Sequence, residues 1–160
     1  MQIKGSIAIV TGAASGLGAA TAETLASAGA RIAAFDLNEE GAKATAEKLG
    51  GVGYGVDVSN AESVEQAVAK VQADLGTPSI LVNCAGIVHG ERIVGRDGPA
   101  DLAAFSKVIT VNLIGTFNMM RVAANAMSQN DPNDAGERGV IINTASIAAF
   151  EGQIGQAAYA

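Results

Sequence analysis

Short apolar runs and longer stretches of helical periodicity alternate along most of the chain. Residues 7–10 (Ile-Ala-Ile-Val) form a compact apolar run that ends at a Thr-Gly turn signal. That is the pattern of a strand covered on both faces. Residues 16–28 are rich in Ala and are followed by Gly29, which predicts a helix with a glycine stop. Residues 31–35 predict a second strand and 38–49 a second helix, with Gly50 and Gly51 after it. Residues 52–56 predict a third strand. Ser59 or Asn60 can cap the next helix, in which Val64, Ala67, Val68, Val71 and Leu75 recur at helical spacing. Pro78 closes that region, and residues 79–82 predict a fourth strand.

The pattern dissolves into Gly, charge and turn residues over 86–99, which predicts a loop. A long helix is expected from about Asp101 to Met127, apolar nearly all round in its second half. Such a helix is buried on several sides, and its exterior around Phe117, Met120 and Met127 suggests cover by a second subunit. Residues 128–139 form a polar loop, and 140–144 a fifth strand. Repeated strand–helix units imply a parallel sheet with helices on both faces, because right-handed crossovers place them there. The expected fold class is therefore α/β: a doubly wound parallel sheet in three α/β/α layers, forming one domain over residues 1–160.

Composition narrows the function classes. Hydrophobic residues make up 49% of the 160 and charged residues 16%, which fits a packed domain and not a disordered segment. The net charge of −6 gives no global attraction to nucleic-acid phosphates or anionic lipid, so no nucleic-acid or membrane partner is expected. Cys84 is the lone cysteine, so no internal disulfide or multi-cysteine zinc site can form, and no metal is expected. The first residues lack a signal-peptide or transit-peptide pattern, and we read no run as long and apolar enough to span a bilayer. The expected location is cytoplasmic.

The strongest motif is Thr11-Gly12-Ala13-Ala14-Ser15-Gly16-Leu17-Gly18, between the first strand and the first helix. Gly12 allows a tight turn, Gly16 lets backbone approach a pyrophosphate, and Gly18 permits close packing of helix on strand. The helix N-terminus, with its free N–H groups, then faces the phosphates. A glycine-rich turn alone is weak evidence, since many βα turns are merely tight. Asp36 adds to it. A carboxylate at the end of the second strand can accept hydrogen bonds from an adenosine ribose and repel the 2′-phosphate of NADP, and Leu37 supplies no compensating cation. The expected cofactor is NAD in a Rossmann-type site. The alternative is a helix-capping Asp.

The Thr-Gly-x-x-x-Gly-x-Gly spacing resembles the short-chain dehydrogenase/reductase family, and other segments follow that family in order. Asp57-Val58 comes after the third strand, where the resemblance implies an acid against the adenine. Asn83-Cys84-Ala85-Gly86 is similar to the family's Asn-Asn-Ala-Gly, with Cys in place of the second Asn. Asn112 lies within Val111-Asn112-Leu113, Ser146 follows the fifth strand, and Tyr159 comes later. The resemblance covers the whole chain. It implies cofactor contacts at Gly12, Ser15, Gly16, Leu17, Gly18, Asp36, Leu37, Asp57, Val58, Asn83, Ala85, Gly86 and Tyr159. Residues 139–159 further resemble the type 2 3-hydroxyacyl-CoA dehydrogenase branch, as do Gly115-Thr116-Phe117-Asn118 and the loop at Gln129-Asn130-Asp131-Pro132. That branch implies an acyl-CoA substrate and a place in fatty acid metabolism. Substrate class rests on this likeness alone. Family members are commonly homotetramers with such long helices at the interface.

The resemblance implies a catalytic set of Ser146, Tyr159 and Asn112. Tyr159 would give or take the proton of the substrate oxygen, Ser146 would hydrogen-bond that oxygen, and Asn112 would hold a relay water. A free tyrosine has a pKa of about 10, so it needs a neighbouring cation near neutral pH. The bland alternatives are a strand-end cap for Ser146 and an ordinary half-buried aromatic for Tyr159. Asn112 interrupts an apolar helical run, where an unsatisfied amide is costly. Gln153 is a candidate for the substrate pocket, beside Ser146 and Tyr159. His89, the lone histidine, reads as a solvated loop residue, and Arg92 and Arg96 as loop charges that could meet a coenzyme A phosphate.

The sequence stops at Ala160, before the lysine that the family places four residues after its tyrosine. The expectation is a piece of a longer protein, without efficient turnover as it stands, and with a sheet edge and an apolar helix face left open. The leading expected activity is NAD-dependent interconversion of 3-hydroxyacyl-CoA and 3-ketoacyl-CoA. Alternatives are a hydroxysteroid or other secondary-alcohol dehydrogenase, and a catalytically silent dinucleotide-binding scaffold.

Overall fold

The computed structural model describes residues 2–160. Five parallel strands form one sheet in the order β3-β2-β1-β4-β5. They are β1 (Ile7–Thr11), β2 (Arg31–Asp36), β3 (Val52–Gly55), β4 (Ile80–Asn83) and β5 (Val140–Asn143). The first helices are α1 (Gly16–Ser27), α2 (Glu39–Lys48) and α3 (Ala61–Asp74). Chain order and sheet order diverge at β1, where β2 and β4 lie on opposite sides. This is the switch point at which a doubly wound sheet opens a crevice outside the carboxyl ends of its strands.

The alternation of side chains along each strand builds two cores. Ile7 and Ile9 face one layer with Phe35, Leu81, Val64, Val68 and Met119. Ala8 and Val10 face the other with Ala22, Ile32, Ala34 and Ala46. The second face is rich in alanine, so its helices can sit close to the strands. Both faces are covered, which is why the central strands read as continuous apolar runs instead of alternating ones.

The expected long helix is present but not uniform. It runs as α4 (Leu102–Ile109), a π-helical segment (Thr110–Gly115) and α5 (Thr116–Met127). Two expectations for it need correction. Met127 lies inside the core, 4% exposed, with its sulfur so close to Gly139 that a Cβ there would stand 2.5 Å away. Phe117 is exposed as expected, with Leu113 and Ile114 beside it, while Met120 is half-buried. The continuous stretch Leu102–Met127 is also 26 residues long and apolar enough to cross a membrane by length and composition, contrary to the reading above. Its inner residues Met119, Ala123, Ala126 and Met127 are packed in the core beside α3 residues. β5 lies at the edge of the sheet, with Ile142 exposed.

Candidate functional site

A cleft of about 470 Å³ opens at the carboxyl ends of β1, β2, β3 and β4. Its floor is the glycine loop. Gly16 sits at φ +53°, a left-handed conformation that favours glycine, and the space beyond it is open. A Cβ on Gly18 would stand 2.1 Å from the Gly12 carbonyl oxygen, so α1 can approach β1 only with glycine here. The N-terminus of α1 has no side-chain cap, whereas Asn38, Asn60 and Asp101 cap α2, α3 and α4. Its first N–H groups are therefore left for a ligand, the arrangement that binds phosphate.

Asp36 ends β2 at the side of this cleft. One carboxylate oxygen accepts from the Ala14 N–H at 3.0 Å and the other from the Asn38 N–H at 2.9 Å. The acid thus ties the glycine loop to the start of α2. Each carboxylate oxygen keeps a further lone pair for a ribose hydroxyl. Leu37, exposed beside it, offers no cation. Asp57 turns its own carboxylate to the Ser59 N–H and hydroxyl, at 2.9 and 2.6 Å. Val58 is nearly buried beneath the same wall.

The opposite wall follows β4. The buried Thr11 hydroxyl oxygen accepts from the Cys84 and Ala85 N–H groups, each at 3.0 Å. Farther along, the Asn112 amide grips Ile87 at both ends: it accepts from the Ile87 N–H and donates to the Ile87 carbonyl, each at 2.8 Å. Asn112 lies within the π-helical segment, a local winding often found at functional sites. It thereby escapes the unsatisfied state that would be costly in an apolar helix.

The structure brings Gly12, Ser15, Gly16, Leu17, Gly18, Asp36, Leu37, Asp57, Val58, Ala85 and Gly86 together around this cleft. Asn83 lies beneath it, 3% exposed, and donates to the Asn143 side chain at 2.9 Å across β4 and β5. Its own side-chain oxygen is buried with no partner among the described residues. Ser146 caps the short 3-10 turn Ile147–Ala149, its Oγ accepting from the Ala148 N–H at 3.2 Å. Tyr159 lies in the last turn, its N–H bonded to the Gln156 carbonyl at 2.9 Å. No hydrogen bond joins Ser146 to Tyr159 among the described residues. Gln153 borders a separate hollow with Arg92 and Ile93. His89 faces Glu91 at 3.3 Å, and Arg96 is exposed. A larger polar hollow, lined in part by Ser79 and Asn130, lies toward the amino end of β4, the wrong end of the sheet for a ligand of this fold.

Residues 6–160 match the family model described as short chain dehydrogenase. The chain belongs to the short-chain dehydrogenase family. It is 46% identical over 162 residues to human "3-hydroxyacyl-CoA dehydrogenase type-2", covering 99% of this chain and 62% of that protein. It is 44% identical over 156 residues to "D-threitol dehydrogenase" of Mycolicibacterium smegmatis, covering 92% of this chain and 55% of that protein. The crystal structure of 3-hydroxyacyl-CoA dehydrogenase type-2 from Mycobacterium avium superimposes with a TM-score of 0.90 at 41% identity, over 97% of this chain and 61% of that one. The chain spans 62% of the length of the human relative.

Membership in the short-chain dehydrogenase family implies a nicotinamide dinucleotide cofactor, and the cleft fits one. The uncapped α1 terminus and the open space at Gly16 suit a pyrophosphate, and the two walls diverge from the switch point to receive its two nucleosides. Sequence reasoning passed over several residues of this short-chain dehydrogenase cleft. Val56, Cys84, Ile87, Lys107 and Val111 also line it. Lys107 and Val111 are one helical turn apart, so the spacing from Val111 could have found Lys107. Thr11 opens the glycine motif, yet its tie to Cys84 and Ala85 spans the fold and leaves no local signal.

Proposed function

We propose that this chain is the NAD-binding part of a dehydrogenase that interconverts 3-hydroxyacyl-CoA and 3-ketoacyl-CoA. The observation that carries the cofactor choice is Asp36, a carboxylate fixed at the cleft by two backbone N–H groups and flanked by the neutral Leu37. A 2′-phosphate placed there would meet like charge, while ribose hydroxyls would find acceptors. The substrate class follows the likeness to 3-hydroxyacyl-CoA dehydrogenase type-2 of human and of Mycobacterium avium.

NAD, when bound, supplies the acceptor for the hydride that leaves the carbinol carbon. The chain's own residues take the following parts. The α1 N–H groups neutralise the pyrophosphate, and Asp36 orients the adenosine ribose. Asn112 keeps the wall at Ile87 in place. Ser146 already accepts from Ala148, which leaves its hydroxyl proton free to donate to the substrate oxygen. In the chain extended to the length of its relatives, Tyr159 held as phenolate by a neighbouring cation would take that oxygen's proton during oxidation, and as phenol would return it during reduction. Leu113, Ile114 and Phe117 form an exposed apolar face suited to a second subunit in a homo-oligomer.

NADH and NADPH titrations of the chain test the cofactor, with NADH expected to bind at least about tenfold tighter. The substrate is tested by loss of NADH absorbance with acetoacetyl-CoA, using the chain extended to the full length of its relatives. Turnover of a steroid ketone or of the ketose from D-threitol, with none of acetoacetyl-CoA, would overturn the substrate assignment.

A further inference from the structure

We propose that Asn118 is a positioning residue for the adenosine half of the dinucleotide. This rests on the reading of the cleft as a dinucleotide site. Asn118 lies on α5, is 5% exposed and does not line the cleft. Its Nδ2 donates to the Val58 carbonyl at 2.8 Å and to the Asn60 carbonyl at 3.2 Å. Those two carbonyls belong to the loop that carries Asp57 and Val58 into the cleft wall.

The orientation of the amide is fixed from its other end. Arg121 Nε donates to Asn118 Oδ1 at 2.9 Å, and the same guanidinium reaches Glu65 on α3 at 2.8 Å. With Oδ1 committed to a donor, the NH2 group must face the two carbonyls. The helix also presses on this loop directly. A Cβ on Gly115 would stand 2.6 Å from Val58 Cγ2, so the helix backbone runs against the Val58 side chain. Asn118 therefore draws the Val58 backbone toward α5 while the glycine leaves room for its side chain.

The wall it sets belongs to one half of the site. The loop follows β3, and β3 lies beyond β2 and its Asp36, on the side of β1 away from β4. In a doubly wound sheet the acid at the end of β2 marks the adenosine ribose. A shift of Val58 thus alters the adenosine subsite and leaves the wall built by Cys84 to Ile87 unchanged.

The test is competition against NADH fluorescence, with AMP and nicotinamide mononucleotide as separate probes. Asn118→Asp keeps the acceptor for Arg121 and turns a carboxylate toward the two carbonyls. The AMP dissociation constant is expected to rise about tenfold, the scale of one lost buried hydrogen bond, with nicotinamide mononucleotide changed less than about twofold. Arg121→Met, at a half-exposed position, frees the amide to turn and gives a smaller rise of about threefold for AMP alone. If Asn118→Asp does not fold, Arg121→Met decides. Unchanged AMP affinity in the folded variants, or an equal loss for both probes, overturns the proposal. Failure of the wild-type chain to bind NADH overturns the dinucleotide reading itself.

Discussion

Replacing Thr11 by Val would test how the glycine loop and the β4 wall are joined. The two side chains have nearly the same shape, so the substitution removes one hydroxyl and little else. That hydroxyl is 1% exposed at the residue level and accepts from two backbone N–H groups at 3.0 Å. An N–H stranded in the interior costs about 1–3 kcal/mol. Cys84 and Ala85 are half-buried, which places each near the lower part of that range. The sum is about 3 kcal/mol, a large share of the ~5–15 kcal/mol that stabilises a typical domain. For a chain of this size it corresponds to a fall in Tm of roughly 6–12 °C. Thr11→Ser keeps the acceptor and should lose far less. Urea unfolding followed by circular dichroism measures both, and NADH titration of the folded variants reports the loosened wall. Stability of Thr11→Val within about 0.5 kcal/mol of wild type would falsify the assignment of Thr11 as the link.

Three further outcomes follow from the same geometry. Gly18→Ala places a Cβ against the Gly12 carbonyl, so α1 must move off β1, and NADH titration should show at least about a tenfold loss of affinity. Asp36→Ala combined with Leu37→Arg should reverse the preference from NADH to NADPH, and a preserved NADH preference would refute the role given to the acid. Burial first, and the Asp74 carboxylate second, push the Tyr54 phenol above its ordinary value. The folded chain therefore retains that proton where the unfolded chain has lost it. Stability is fully present below about pH 10 and falls as pH rises beyond it, and Tyr54→Phe should flatten that alkaline limb in thermal melts.

The sequence exposed what is repetitive or local. Strand–helix alternation gave the parallel sheet, because each βα unit carries its own apolar run and its own stop. The glycine spacing located the floor of the cleft, and the strand-end position of Asp36 located its side. What stayed hidden depends on contacts distant along the chain. Asn112 interrupts the apolar run within Thr110–Gly115, but a single polar residue does not signal a change to π-helical winding, so the helix read as continuous. Met127 looked like an exterior residue until the Gly139 backbone closed over it. Asn118 reads as one more polar residue on a helix, and its meaning lies in two carbonyls on the β3–α3 loop. The placement of Ser146 and Tyr159 follows chain outside any regular element, where pattern says little.

The anchoring of Asp36 has a consequence for how this fold can evolve. Its carboxylate is held by Ala14 and Asn38 before any ligand arrives, so it cannot swing aside to admit a 2′-phosphate. The group proposed to discriminate between cofactors is also a strut of the glycine loop. A change of cofactor preference therefore carries a structural debt: removing the acid strands the Ala14 N–H and loosens the glycine turn. Unless a further substitution restores the strut, such a change lowers affinity for both dinucleotides even where the preference reverses.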